Sequence, residues 1–355
     1  MKKSLIVLLV LTMVLVIATT AFAAKGKIGV AMPTQSLQRW NQDGANMKAQ
    51  LEEAGYEVDL QYANNSTSTQ ISQLENMILG GCDVLVIASI DGSALGTVLE
   101  TAKQEGIPVI AYDRLIMETD AVSYYATFDN YMVGTIQGEY LEDALDLENR
   151  SADNPAYIEI FGGSPDDNNA RYFFAGAWDV IKPYVESGEV VVPSGQTEFE
   201  QIATMNWDSA NAQSRMDNLI ASNYSADQKL DAVLCSNDST ALGVTNSLKG
   251  AGFTKDNFPV ITGQDCDITN TKNIIAGYQS MSIFKDTRTL AAQVVDMIKD
   301  IQNGEEPEIN NTTDYDNGVD IIPTYLCKPV FADINNYKEL LIESDYYTPE
   351  QLGLE

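Results

Sequence analysis

Short apolar runs alternate along this chain with amphipathic segments of helix length, from Lys27 onward. The run DVLVIA at residues 83–88 is apolar throughout its core instead of alternating, which is typical of a parallel strand covered on both faces. The segment RWNQDGANMKAQLEEAG at 39–55 has helical periodicity and ends in glycine. This alternation predicts an α/β fold with doubly wound parallel sheets.

The alternation comes in two successive sets, at about 27–127 and 156–265, which is too much for one ordinary sheet. The two sets are not visibly alike in sequence, so what repeats is the architecture. A strand, YQSMSIFK, and a helix predicted from Thr287 to Asn303 remain after both sets. We expect this remainder to return to the first domain and cross again. The predicted division is 25–128 plus 284–318 for the first lobe and 129–283 plus 319–355 for the second.

The N-terminal segment has the features of a secretory signal peptide. Lys2 and Lys3 precede an apolar stretch, and Ala21-Phe22-Ala23 has the small-x-small pattern of a cleavage site. We therefore expect residues 1–23 to be removed near Ala23, leaving a soluble periplasmic or secreted protein. An uncleaved membrane anchor is the alternative interpretation.

The composition excludes several classes of function. The chain has no histidine, which removes the commonest general base and the usual zinc ligand. Its net charge of −30 disfavours nucleic acid and anionic lipid as partners. No G-x-G-x-x-G fingerprint occurs, so we expect no nucleotide cofactor. The DYDNG segment at 314–318 lacks the later glutamate of a calcium loop, which favours an Asn-Gly turn and no metal site.

Four cysteines, at 82, 235, 266 and 327, are too few and too scattered for a disulfide framework. No C-x-x-C pair is present. Cys235 and Cys266 each lie near the end of a predicted strand, so either a disulfide between them or two buried free thiols is compatible with the sequence.

Polar side chains gather where the predicted strands end. Ligands of open parallel sheets lie beyond the carboxyl ends of the strands. The polar positions there are Asp113, Arg114, Asp129, Asn130, SPDDNN at 164–169, Asn237, Asp238, Gln264, Asp265 and Lys285. Arg39 and Trp40 begin the first helix, and Trp207 opens a helix of the second set. Forked donors and acceptors combined with indole faces are typical of sugar recognition.

Each of these features also has a purely structural interpretation. Asp113 and Arg114 could form an ion pair that serves only the fold. SPDD and SNDS are good helix N-cap sequences, and we expect Asp238 to cap its helix. A tryptophan is more often a core residue than a sugar platform. The binding hypothesis depends on all the polar positions falling at equivalent strand ends.

Several motifs together resemble the periplasmic sugar-binding proteins of ABC transporters. They are RW, VLVIASIDG, VIAYDRLI, YYATFDN, FGGSPDDNNA, SNDSTALG, GQD and IFKDTR. The similarity covers essentially the whole chain after residue 23 and is greatest to the xylose-binding and multiple-monosaccharide receptors. It implies the type I periplasmic binding protein fold, in which two Rossmann-like domains are joined by three crossovers. It also implies a monosaccharide ligand, a permease partner, a chemoreceptor as a further candidate partner, and a monomer.

The resemblance implies a set of ligand-binding residues. They are Arg39, Trp40, Asp113, Arg114, Asp167, Asn168, Asn169, Trp207, Asn237, Asp265 and Lys285. Trp40 and Trp207 would stack on opposite faces of the sugar. Within SPDDNN the resemblance favours Asp167 and Asn169, with Asn168 as the alternative. The ligand would be an aldopentose or aldohexose such as xylose, glucose, galactose or arabinose. Binding of sugar acids stays open.

Two other functions compete with this one. An exported glycosidase could use Asp113 and Asp265 as its pair of carboxylates. The ligand-sensing half of a sugar-responsive transcription regulator shares the fold, but the predicted signal peptide and the lack of a basic helix-turn-helix argue against it.

Overall fold

The structure is a computed structural model that describes residues 25–224 and 229–354. The predicted signal peptide and its cleavage site lie outside these residues. Within the two described ranges, no helix combines the length and the apolar character needed to span a bilayer.

The elements alternate as the sequence predicts. The strands are, in chain order, β1 (Lys27–Met32), β2 (Glu57–Tyr62), β3 (Val84–Ile87), β4 (Val109–Tyr112), β5 (Tyr124–Phe128), β6 (Ala156–Phe161), β7 (Val190–Val191), β8 (Ala232–Cys235), β9 (Val260–Ile261), β10 (Met281–Phe284), β11 (Thr324–Cys327) and β12 (Val330–Asp333). The α-helices are α1 (Gln38–Glu53), α2 (Thr67–Leu79), α3 (Gly96–Gln104), α4 (Asn130–Leu145), α5 (Asn169–Ser187), α6 (Phe199–Ile202), α7 (Ser209–Asn223), α8 (Asp238–Gly250), α9 (Ile268–Ala276) and α10 (Thr287–Asn303). The helix predicted from Thr287 to Asn303 is confirmed as α10.

The first sheet has six parallel strands in the order β11-β5-β4-β3-β1-β2. Successive strand residues point to opposite faces, so Val30 packs on one side of the sheet and Ala31 on the other. Helices α1 and α10 cover the first face and contact each other, whereas α2 and α3 cover the second. A parallel sheet covered on both faces confirms the predicted fold class.

The second lobe has a four-stranded parallel sheet in the order β7-β6-β8-β9. An antiparallel pair, β10 and β12, continues this layer through a bridge between Gln264 and Ile283. Helices α4 and α5 pack together, as do α7 and α8. The C-terminal tail packs its apolar side chains on β10 and β12, around Phe284, Tyr337 and Leu341.

The chain passes between the two sheets three times. The passages follow β5, β10 and β11. The last one differs from the expected boundary at residue 319, because β11 pairs in parallel with β5, Thr324 lying opposite Tyr125. The return to the second lobe therefore falls between Cys327 and Val330. An edge strand such as β11 has the same pattern whichever sheet it joins, so its sequence could not assign it to a lobe.

Candidate functional site

The ends of the strands in both sheets meet at one cleft. Ten of the eleven residues predicted for the site line it: Arg39, Trp40, Asp113, Arg114, Asp167, Asn169, Trp207, Asn237, Asp265 and Lys285. Asn168 is the exception. It occupies the N-cap position of α5, is half-buried, and is not among the residues lining the cleft.

The cleft also includes residues outside the predicted set of eleven. They are Leu37, Phe173, Ser239, Gln264 and Asp267. Gln264 was among the polar strand-end positions that the sequence grouped, although the resemblance did not include it, and Ser239 lies two residues after the predicted Asn237. Leu37 and Phe173 had no usable signal, since nothing in the sequence distinguishes an apolar side chain facing the cleft from one facing the core.

The backbone turns sharply where β4 ends. Asp113 has a φ of 61°, a left-handed conformation that costs a non-glycine residue about 1–2 kcal/mol. Three donors hold its carbonyl oxygen: the Tyr125 hydroxyl at 2.6 Å, Thr127 Oγ1 at 2.9 Å and Asn169 Nδ2 at 2.6 Å. The last of these comes from the second lobe. The turn interrupts the buried strand, and the Asp113 carboxylate lines the cleft.

Arg39 is the centre of an ion-pair network that joins both lobes. Its Nε donates to Asp43 Oδ2 at 2.9 Å, and its Nη2 lies 3.0 Å from Asp113 Oδ2. Its Nη1 lies 3.4 Å from Asp265 Oδ1 across the cleft. Lys285 Nζ approaches the same Asp265 oxygen at 3.1 Å. Two cations thus compensate Asp265.

Arg114 has different partners. Its Nη1 donates to the Ser89 carbonyl at 3.0 Å, and its Nε lies 3.0 Å from Asp167 Oδ2. The structural ion pair between Asp113 and Arg114 that the sequence allowed is not formed, because each side chain pairs with another residue. The guanidinium carbons of Arg39 and Arg114 lie 4.3 Å and 5.1 Å from the Trp40 ring centroid, so both cations contact this indole.

Trp207 lies on the other side of the cleft. Its indole Nε1 donates to Asp167 Oδ2 at 3.2 Å, and its carbonyl accepts from Ser239 Oγ at 2.6 Å. The ring lies against the backbone that follows β6. A Cβ atom on Gly163 would be only 1.9 Å from Trp207 Cη2, so this close approach requires glycine.

The cap of α8 is Asn237 and not Asp238, which the sequence had suggested. Asn237 has extended backbone and is the N-cap of α8, accepting from Thr240 N at 2.9 Å, while also lining the cleft. The expected cap, Asp238, is already the first helical residue and is fully buried. Its carboxylate accepts from Gln279 and Ser282 instead. Both residue types cap helices well, so sequence alone could not choose between adjacent positions.

Burial and charge shift the carboxyl pKa values in opposite directions. Burial raises the pKa of Asp113, but Arg39, Lys285 and Arg114 outweigh it, so the net shift is downward. Burial raises the pKa of Asp43 to about 6 despite Arg39. Burial and the neighbouring Asp265 raise the pKa of Asp267 to about 7. A carboxyl held ionised like Asp113 suits hydrogen-bond acceptance and does not suit proton donation near neutral pH.

Buried polar atoms without hydrogen-bond partners are concentrated here. Among the residues described there are eight such side-chain atoms, and six of them belong to residues lining the cleft. The six are Arg39 Nη2, Trp40 Nε1, Asp113 Oδ2, Arg114 Nε, Gln264 Oε1 and Asp267 Oδ1. Some of these charges touch an opposite charge without a well-directed hydrogen bond. An unmade bond at a buried group costs about 1–3 kcal/mol, so this cluster favours a ligand that offers many donors and acceptors.

The structure also addresses the pairing of Cys235 with Cys266 and the turn predicted at Asn317-Gly318. Cys235 and Cys266 are buried free thiols, and burial raises the pKa of both. Asn317-Gly318 forms a turn in which Gly318 has a φ of 89° and Asn317 donates to the carbonyls of Ile116 and Thr119. Within 25–224 and 229–354, no group of three or more acidic or cysteine side chains is arranged to hold a metal ion.

A family model described as the periplasmic binding protein domain matches residues 28–306. The chain belongs to this family. This periplasmic binding protein is 49% identical over 335 residues to the multiple sugar-binding periplasmic receptor ChvE of Rhizobium radiobacter, covering 94% of each chain. It is 37% identical to the D-xylose-binding periplasmic protein of Escherichia coli, covering 99% of this chain and 100% of the relative. The resemblance that the sequence motifs indicated is confirmed.

Solved structures agree with the sequence comparison. An ABC transporter solute binding protein from Clostridium phytofermentans, with bound β-D-glucose, is 63% identical and superposes with a TM-score of 0.89. The alignment covers 92% of this chain and 99% of that one. The relatives are sugar-binding transport proteins, which supports the binding-protein interpretation over the glycosidase alternative. The contacts of Asp113 and Asp265 with Arg39 and Lys285 are consistent with that outcome.

Proposed function

We propose that this binding protein captures one neutral monosaccharide, an aldopentose or aldohexose, between its lobes and delivers it to an ABC importer. The observation that carries the proposal is the group of six buried polar atoms at the cleft that make no directed hydrogen bond within the protein. A sugar hydroxyl both donates and accepts, so a ring of hydroxyls can complete such a group. The sugars named for the relatives, D-xylose and β-D-glucose, belong to the proposed class.

The predicted residues would contact the sugar in three ways. Carboxylates such as Asp113 would accept from hydroxyls, and the guanidinium groups of Arg39 and Arg114 would donate to ring or hydroxyl oxygens. The indoles of Trp40 and Trp207 would cover the apolar faces of the ring. The proposed contacts are Arg39, Trp40, Asp113, Arg114, Asp167, Asn169, Trp207, Asn237, Asp265 and Lys285.

Binding would be coupled to movement of the lobes. The cleft encloses a cavity of about 30 Å³, and most of the side chains that line it are buried. Contacts between the lobes, such as Asn169 with Asp113 and Arg39 with Asp265, hold this arrangement together. The sugar would enter when the lobes separate about the three passages of the chain, and its hydroxyls would favour reclosure.

Location and partners follow from the same proposal. Export with cleavage near Ala23 would place the protein where it can meet sugar outside the cytoplasm. The permease would recognise the closed form, in which both lobes present their rims together. A chemoreceptor is a second partner that could read the same closed form, and a monomer suffices for both tasks.

A thermal-shift screen of the purified chain tests the proposal. The melting temperature should rise with the logarithm of sugar concentration above Kd for at least one aldose, since the sugar binds only the folded state. Calorimetry should then give one sugar per chain. A panel of pentoses and hexoses without any shift would overturn the ligand class. Turnover of aryl glycosides would favour the enzyme instead.

A further inference from the structure

Two of the partnerless atoms lie on one turn of the second lobe, Gln264–Asp267, which we name the acceptor turn. Gln264 is 2% exposed, and its Nε2 donates to the Ser236 carbonyl at 3.1 Å. That bond fixes which end of the amide is the donor and leaves Oε1 as the buried oxygen without a partner. Asp267 Oδ1 is the second such oxygen. Both residues line the cleft.

Asp267 occupies the N-cap position of α9, but its side chain makes no capping hydrogen bond. The nearest helical amide, that of Ile268, donates instead to Gln38 Oε1 at 3.0 Å. The backbone N–H of Asp267 donates to Asp238 Oδ2 at 2.8 Å, which fixes the turn from behind. The usual structural role of an aspartate at this position is therefore not used, and the carboxylate is available to the cleft.

The two lobes contribute different kinds of atom that lack a directed hydrogen bond. The first lobe supplies three donors: Trp40 Nε1, which has no partner, and Arg39 Nη2 and Arg114 Nε, which each lie 3.0 Å from a carboxylate oxygen. Its acceptor, Asp113 Oδ2, touches Arg39. The acceptor turn supplies only acceptors. A ligand that completes both sides must direct its own O–H or N–H groups at the acceptor turn.

Charge on the acceptor turn is compensated unevenly. Arg39 and Lys285 both lie within ion-pair distance of Asp265. No described lysine or arginine lies within ion-pair distance of Asp267. An anionic group entering this small cleft would therefore meet one carboxylate that no cation neutralises directly.

We propose that the acceptor turn selects the ligand class. Gln264 and Asp267 accept hydrogen bonds from the sugar, and the uncompensated carboxylate of Asp267 makes the cleft prefer a neutral aldose to the corresponding sugar acid. The inference rests on the proposed function, since it concerns the ligand of the same cleft. It adds two contact residues and decides a question that the sequence leaves open.

The test is the ratio of two dissociation constants, measured by calorimetry on the wild-type chain and on Asp267→Asn. The buffer is held at about pH 9, because the pKa of Asp267 is raised to about 7 and its carboxylate must be ionised. The ligands are an aldohexose that binds in the screen and its uronic acid. The wild type should prefer the neutral sugar. Asp267→Asn keeps the side-chain shape but removes the charge, so the preference should fall about tenfold, mainly through tighter uronic acid binding.

Two further variants keep the test decisive. Asp208→Asn makes the same change at the exposed N-cap of α7, where the carboxylate accepts from Ala210 N and Asn211 N outside the cleft, and it should leave the ratio unchanged. Asp267→Ser removes the charge with a residue that caps helices well, and it replaces Asp267→Asn if that variant folds poorly.

The outcomes separate this inference from the proposed function. If the wild type binds no aldose, the proposed function fails. If it binds an aldose but Asp267→Asn gives the same ratio as Asp208→Asn within about twofold, only the acceptor-turn inference fails. Gln264→Met should weaken binding of both ligands alike, because it removes a neutral acceptor. An unchanged affinity for both would remove Gln264 from the site.

Discussion

Two buried carboxylates, Asp238 and Asp113, sit close to the same cleft with opposite surroundings. Asp238 is fully buried, and its oxygens accept from Gln279 Nε2 at 2.8 Å, Ser282 Oγ at 2.9 Å and Asp267 N at 2.8 Å. Burial and the neighbouring Asp267 raise the pKa of Asp238, although the hydrogen bonds from Gln279 and Ser282 act in the opposite direction. Its hydrogen-bonding capacity is largely used within the protein.

Asp113 is almost as buried, at 4% exposure, but its Oδ2 touches Arg39 and lacks a directed hydrogen bond. Its pKa is lowered by the surrounding cations, so it stays ionised. Burial alone therefore does not distinguish a carboxylate that stabilises the fold from one that binds a ligand. What distinguishes them is the hydrogen-bonding capacity that the protein leaves unused. A network that stabilises the fold closes on itself, and a network that binds a ligand leaves places for the ligand's atoms.

Removing the closed network should have the largest effect, and the effect should be on stability. Asp238→Ala leaves the donors of Gln279, Ser282 and Asp267 without their acceptor, so we expect a loss of about 3–5 kcal/mol in the free energy of unfolding. Denaturant unfolding measures it. Asp208→Ala, at an exposed cap, should cost only about 1 kcal/mol. Equal losses in the two variants would contradict the contrast.

Opening the binding network should weaken ligand affinity more than stability. Arg114→Met keeps the apolar stem beside Trp40 but removes the donors, so we expect aldose binding to weaken by about 2–3 kcal/mol. Calorimetry measures the affinity. Arg171→Met, an exposed arginine paired with Glu200, is the control and should bind normally. An affinity that matches the control would remove Arg114 from the site.

A change that only moves an indole should have a smaller effect. Gly163→Ala places a methyl group in the space of Trp207, so the ring must shift and we expect a loss of about 1–3 kcal/mol in aldose binding. Gly250→Ala, where an added Cβ meets nothing within 4 Å, is the matched control. Unaltered binding in Gly163→Ala would argue against Trp207 as a platform for the sugar.

The smallest expected effect is a dependence of stability on pH. The pKa values of Asp43 and Asp267 are raised to about 6 and about 7, so between pH 5 and pH 8 the folded chain binds more protons than the unfolded chain. Stability should therefore increase as pH falls through this range, by a few degrees in melting temperature. The lowered pKa of Asp113 acts only at more acidic pH. Asp267→Asn should flatten the trend, and a melting temperature that falls from pH 8 to pH 5 would contradict it.

The fold and most residues of the cleft could be predicted from the sequence, because parallel α/β folds place the carboxyl ends of their strands together. The polar residues after β4, β6, β8 and β9 needed only that rule to be grouped. The rule could not resolve neighbouring positions of one turn. It could not decide that Asn169, and not Asn168, faces the cleft, or that Asn237 caps α8 while Asp238 is buried. These choices depend on backbone dihedral angles that several residue types can adopt.

The cleft position of Asp267 and the lobe to which β11 belongs could not be predicted from the sequence, for different reasons. An aspartate before a helix predicts a cap, so the local pattern does not assign Asp267 to the cleft, and only its unused oxygen does. The strand β11 has an edge position, where half-buried residues such as Tyr325 and Leu326 fit either lobe. Contacts between distant parts of the chain determine both positions: Gln38 accepts from the first amide of α9, and β5 pairs with β11.

The central claim is that a monosaccharide makes the hydrogen bonds that the buried polar atoms of the cleft lack within the protein. A crystal structure of the chain with a bound aldose tests it most directly. We predict that the sugar lies between Trp40 and Trp207, with its hydroxyls within hydrogen-bond distance of Asp113 Oδ2, Arg114 Nε and Gln264 Oε1. A sugar bound elsewhere, or one in the cleft that makes no hydrogen bond to these three atoms, would contradict the account.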